Sequence, residues 1–133
     1  MSGYGKINLL SMLLLPVAAT SVAVILFGPR IDTMAVVFGM NAVPMLAGGL
    51  FSGYLLRGAS KSGGVGRSIT LWPTVVPAIV GIGWYLRDAL FPATQDPGLV
   101  YIAGPIYLLV LAILTGLCAC VACSVVRSRR ATV

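Results

Sequence analysis

The chain has 133 residues, 59% of them hydrophobic, with nine Lys or Arg against three acidic residues, all Asp, and no Glu or His. So few charges exclude a soluble fold with an ordinary solvated surface, and their positions leave no acid, base or histidine inside any long apolar stretch. A net charge of +6 in a soluble chain would point to nucleic acid; here it follows from membrane orientation and attraction to anionic head groups.

Four apolar stretches occupy residues 7–27, 34–56, 69–86 and 99–126. Each approaches or exceeds the roughly 18–20 residues that a helix needs to cross a hydrocarbon core of about 30 Å. The expected fold is therefore all-α: one polytopic domain over residues 1–133 with four transmembrane helices and no room for a soluble domain. Lys and Arg resist translocation, so the richer side of short loops is cytoplasmic. Lys6, Arg57, Lys61, Arg67, Arg127, Arg129 and Arg130 fall on one side for a sum of +7. Arg30, Asp32, Arg87, Asp88 and Asp96 fall on the other for a sum of −1. Both termini are thus expected to face in.

In the first stretch, Lys6, the apolar run 9–17 and the small residues Ala18, Ala19 and Ala23 have the layout of a signal peptide. The apolar character runs on to Phe27, longer than an h-region, and losing the segment would spoil the charge asymmetry, so it reads as a span. Phe27, Phe38, Trp84, Tyr85, Phe91 and Tyr101 fall at the outer ends of the stretches and Tyr4, Tyr54 and Trp72 at the inner ends, an expected pair of interfacial belts.

The second stretch carries the most unusual chemistry. At helical spacing Asn41, Met45, Gly48 and Ser52 project within about 60° of one another, with Pro44 at the edge. Asn41 reads as the amide deep in the membrane, and a polar group in hydrocarbon requires a partner: another helix, a carbonyl freed by Pro44, or water. It is read as an interhelical hydrogen bonder first and a pore-lining residue second. Gly49 and Gly53 form a small-xxx-small pair that invites close approach of another backbone. The following segment, 57–68, with Gly58, Gly63, Gly64 and Gly66, has the composition of a flexible cytoplasmic turn without phosphate-loop spacing.

In the third stretch Thr70, Thr74, Pro77, Gly81 and Trp84 share a face of about 80°, and Pro73 and Pro77 remove backbone donors, which predicts a bend or break near Pro77. The outer segment 87–98 is expected to lay Leu90 and Phe91 on the membrane surface, to stiffen at Pro92 and to turn at Asp96, Pro97 and Gly98. It is the expected surface for recognition outside the membrane.

The fourth stretch contains Cys118, Cys120 and Cys123. A C-x-x-C serves four-helix membrane thiol oxidoreductases of the vitamin K epoxide reductase type, but here it falls at the cytoplasmic end without a second pair, and the thiols read as packing surface. The absence of Glu excludes the chemistry of small multidrug transporters, and the charge asymmetry excludes the dual insertion of fluoride channels, which Asn41 alone resembles. Arg127, Arg129 and Arg130 beneath the span are expected to contact anionic lipid.

No catalytic residue, cofactor or metal ligand is read from the sequence. The leading expectation is a non-catalytic subunit or accessory protein that packs against a larger complex in a plasma membrane, with the bacterial inner membrane as the expected one. The alternative is a homo-oligomeric channel, pore-forming effector or carrier of a small solute or lipid. The candidate packing or pore residues are Asn41, Pro44, Gly48, Gly49, Ser52, Gly53, Thr74, Pro77 and Gly81.

Overall fold

The computed structural model describes residues 3–61, 66–91 and 99–132, excepting the side chains of residues 99 and 100. Of these residues 94% are helical, and no strand occurs among them. The elements are α1 (Gly3–Phe27), α2 (Ile31–Lys61), the single turn α3 (Arg67–Thr70), α4 (Trp72–Leu90) and α5 (Leu99–Ala131). Helices α1, α2 and α5 are long and apolar enough to cross a membrane, as expected of a multi-pass membrane protein.

The ends of α1 and α4 have local causes. Gly28 follows α1 with φ 86°, a left-handed conformation that glycine adopts without steric penalty, and its N–H caps the Val24 carbonyl at 3.0 Å before Pro29 forbids continuation. Trp72 and Pro73 open α4, where a missing proline N–H is harmless. That same missing donor at Pro73 denies the Ile69 carbonyl its helical partner, so α3 and α4 separate at Leu71. The break expected near Pro77 is absent: α4 runs through it uninterrupted. Pro77 removes only the bond to the Pro73 carbonyl, and that oxygen rests instead against Gly48, where a Cβ would overlap it.

Other boundaries also depart from expectation. The second helix extends through Arg57 to Lys61 and Ser68 lies in α3, so most of the predicted flexible turn 57–68 is helical; residues 62–65 lie outside the described residues. Arg87 to Leu90 complete α4, whereas the predicted turn at Asp96, Pro97 and Gly98 lies outside the described residues.

The long helices pack as a bundle in which α1 neighbours α2 and α4, α5 neighbours α2 and α4, and α2 meets α4 across the middle. Small residues set the spacing. A Cβ at Gly81 would lie 2.6 Å from Leu15 Cδ1 and 2.9 Å from Leu108 Cδ1, and one at Gly116 would lie 2.7 Å from the Phe51 ring. Around this core α1 and α5 expose apolar side chains such as Leu10, Leu14, Ile25, Ile106 and Val121, a surface suited to lipid and an aggregation hazard in water.

Candidate functional site: two buried polar clusters

The buried face of α2 comprises Val37, Asn41, Pro44, Met45, Gly48, Gly49, Ser52, Leu55 and Ala59, so the polar stripe points into the bundle. Asn41 is fully buried. Its amide Nδ2 donates to the Val37 carbonyl at 2.9 Å, and its Oδ1 accepts from the Tyr85 hydroxyl at 2.8 Å. Gly104 on α5 permits this geometry, since a Cβ there would stand 3.2 Å from the Tyr85 oxygen. The Tyr101 ring stacks on Tyr85 with centroids 5.1 Å apart, and Phe27 meets Tyr101 edge-on at 5.6 Å. All four long helices therefore converge on one amide and three rings. Tyr85 and Tyr101 are almost fully buried, which corrects their assignment to an interfacial belt. Their rings stabilise the bundle by filling its interior, while a belt residue would need access to the headgroup region.

The second cluster lies about 11 residues further along α2, on the order of 16 Å at 1.5 Å per residue. The Thr74 hydroxyl donates to Asn8 Oδ1 at 2.6 Å and pairs with the Ser52 hydroxyl at 2.7 Å. Asn8 Nδ2 reaches the Gly49 carbonyl at 3.4 Å. The small residue Gly49 admits Met12 of α1, whose sulfur a Cβ would overlap. This cluster ties α1, α2 and α4. Between the clusters along α1 and α2, Leu15, Met45 and Leu108 belong to one buried apolar cluster, and Pro16, Pro44 and Pro77 are fully buried as well.

Of the residues singled out in the sequence, Asn41, Pro44, Gly48, Gly49, Ser52, Thr74, Pro77 and Gly81 are brought together in this interior. Gly53 is not: it is half-buried, and a Cβ there meets nothing. The Gly49 and Gly53 pair thus splits, because Gly49 faces α1 while Gly53 lines a surface groove with Asn8 and Met12. Arg127 is half-buried and separates from the exposed Arg129 and Arg130. Cys118 is exposed, Cys120 intermediate and Cys123 buried against Leu55 and Ala119; all three are free.

Sequence reading missed Asn8, Tyr85 and Tyr101. A signal for Tyr85 existed, since it continues the 74, 77, 78, 81 spacing on the buried face of α4, where Trp84 was read instead. Asn8 stands seven residues before the buried Leu15, on the same helical face, a spacing that was available in the sequence.

Chemically the clusters hold amides and hydroxyls that, the Tyr101 hydroxyl excepted, bond to one another or to backbone. No group of His, Cys, Asp or Glu suited to a metal occurs among the described residues. Comparison with known proteins gives no match: no family model fits the chain, and no curated protein or solved structure is significantly similar.

Proposed function

We propose that this protein is a non-catalytic accessory subunit that packs against a larger complex in a plasma membrane, with four spans and both termini on the cytoplasmic side. One observation carries the reading. The polar groups of the α2 stripe are engaged between the protein's own helices, and Leu15, Met45 and Leu108 between them are fully buried. What remains for function is the outer surface. There Gly39 and Gly83 face outward with open space beyond them, although glycine in a helix interior costs about 1 kcal/mol relative to Ala. Such positions suit the close approach of a foreign helix.

The fourth crossing belongs to the same proposal. Helix α4 has 19 residues, on the order of 28 Å long, and it engages α2 near both ends, through Thr74 with Ser52 and through Tyr85 with Asn41. The orientation rests on the +7 to −1 distribution of charge.

The test is reconstitution with crosslinking. Purified protein in vesicles should leave ion and solute permeability unchanged, and photo-crosslinkers at positions 39 and 83 in native membranes should capture a distinct polypeptide. Protein-dependent leak that responds to Asn41 variants, or crosslinks only to further copies of this chain, would replace the subunit reading with a self-assembled channel or carrier.

A further inference from the structure

Where α2 and α5 end together, Tyr54, Leu55, Arg57, Gly58, Lys61 and Arg127 line a cavity of about 300 Å³. Three of the six are cationic, and no carboxylate is among them. The described acidic residues lie elsewhere: Asp32 begins α2, some 25 residues before Arg57, and Asp88 is in the last turns of α4. The three cations are unequally placed. Arg57 and Lys61 are exposed, whereas the Arg127 guanidinium lies on Gly58, with Nη2 3.0 Å and Nη1 3.2 Å from where a Cβ would stand. Both Nε and Nη2 of Arg127 are buried without a hydrogen-bond partner among the described residues. A buried, unpaired donor on a charged group is costly, and these two nitrogens form the edge of the guanidinium that binds two oxygens of one anion at once.

A second cavity, of about 430 Å³, adjoins the first. It is lined by Ala47, Leu50, Phe51, Tyr54 and Cys120, and Tyr54 belongs to both. Cys120 precedes Arg127 by seven residues, so the apolar cavity sits roughly 10 Å deeper toward the bundle centre along α5. An anion seat at the helix ends and an apolar slot leading from it into the membrane have the polarity of one molecule.

We propose that the seam between α2 and α5 holds a single anionic phospholipid. Its phosphate is gripped by Arg127 with Arg57 and Lys61, and an acyl chain lies along Ala47, Leu50 and Phe51. The site does not depend on which side of the membrane these helix ends face, nor on the subunit reading. It differs from general attraction of the basic tail to a charged leaflet, which Arg129 and Arg130 supply by exposure alone.

Native mass spectrometry of delipidated protein, titrated with phosphatidylglycerol, phosphatidylcholine and inorganic phosphate, tests the proposal. Phosphatidylglycerol should bind at one saturable site. Arg127→Gln, and separately the exposed pair Arg57→Gln with Lys61→Gln, should weaken it about tenfold or more, and Arg129→Gln with Arg130→Gln should change it severalfold less. Ala47→Phe, which fills the apolar slot, should weaken phosphatidylglycerol while leaving inorganic phosphate unaffected. The exposed pair keeps the test decisive should Arg127→Gln fail to fold. Equal losses for the two arginine sets would reduce the site to nonspecific charge. Inorganic phosphate matching the lipid in affinity, or indifference to Ala47→Phe, would overturn the lipid in favour of a soluble anion.

Discussion

Tyr85→Phe isolates the one α2–α4 hydrogen bond in the cluster on which all four long helices converge. The ring and its stacking against Tyr101 at 5.1 Å survive, and only the hydroxyl that donates 2.8 Å to Asn41 Oδ1 is lost. Because Asn41 is fully buried, its Oδ1 has no water to turn to. An unsatisfied buried acceptor costs about 1–3 kcal/mol, and interhelical hydrogen bonds inside membranes average nearer 0.6 kcal/mol with a maximum of about 1.7. The lower range governs, since helices partly unfolded within the membrane also find partners, so Tyr85→Phe should destabilise by about 1 kcal/mol. Asn41→Ala adds a cavity and strands the Tyr85 hydroxyl, giving about 2 kcal/mol. In the double variant both ends of the bond are gone, and the loss should fall short of the sum by about 0.6–1.7 kcal/mol. Reversible unfolding of the four proteins in mixed micelles measures this coupling. Strict additivity would refute the bond, and changed permeability with unchanged stability would move Asn41 from packing to transport. Tyr101 supplies the control: its hydroxyl is buried without a partner among the described residues, so Tyr101→Phe should be neutral or stabilising by up to about 1 kcal/mol.

Thr74→Val removes the hub of the second cluster and leaves Ser52 and Asn8 without their shared partner, so it should lower stability by about 1–2 kcal/mol in the same assay, with Thr74→Ser retaining most of it. Gly48→Ala should destabilise by roughly 2–3 kcal/mol or prevent assembly of the bundle, because the obstruction is the Pro73 backbone carbonyl; Gly49→Ala should be milder, because the Met12 side chain can swing away, and a reversed order would refute the packing described. Gly53→Leu should leave monomer stability within about 0.5 kcal/mol, since a Cβ there meets nothing. With Cys118, Cys120 and Cys123 replaced by Ala, Pro29→Cys should react with an impermeant thiol reagent in intact cells and Ser60→Cys only after lysis; labelling in the opposite order would invert the proposed orientation.

Length and hydrophobicity alone determined that the chain is helical and multi-pass, because a bilayer leaves no other way to satisfy the backbone of a long apolar segment. The end of the first span at Phe27, and the inward face of α2 through Asn41, Met45, Gly48 and Ser52, were equally legible, since they follow from the run of apolar residues and from helical period. Partner choice was not. That Asn41 meets Tyr85 rather than a carbonyl freed by Pro44, that Thr74 bridges Ser52 and Asn8, and that the Pro73 carbonyl rests on Gly48 so that α4 continues through Pro77, depend on the rotation and depth of each helix against its neighbours. Period tells which residues share a face of one helix and carries no term for what stands opposite. The same limit separated Arg127 from Arg129 and Arg130: three arginines within four residues look alike in sequence, and only the seam between α2 and α5 buries one guanidinium against a glycine and leaves the other two in the open.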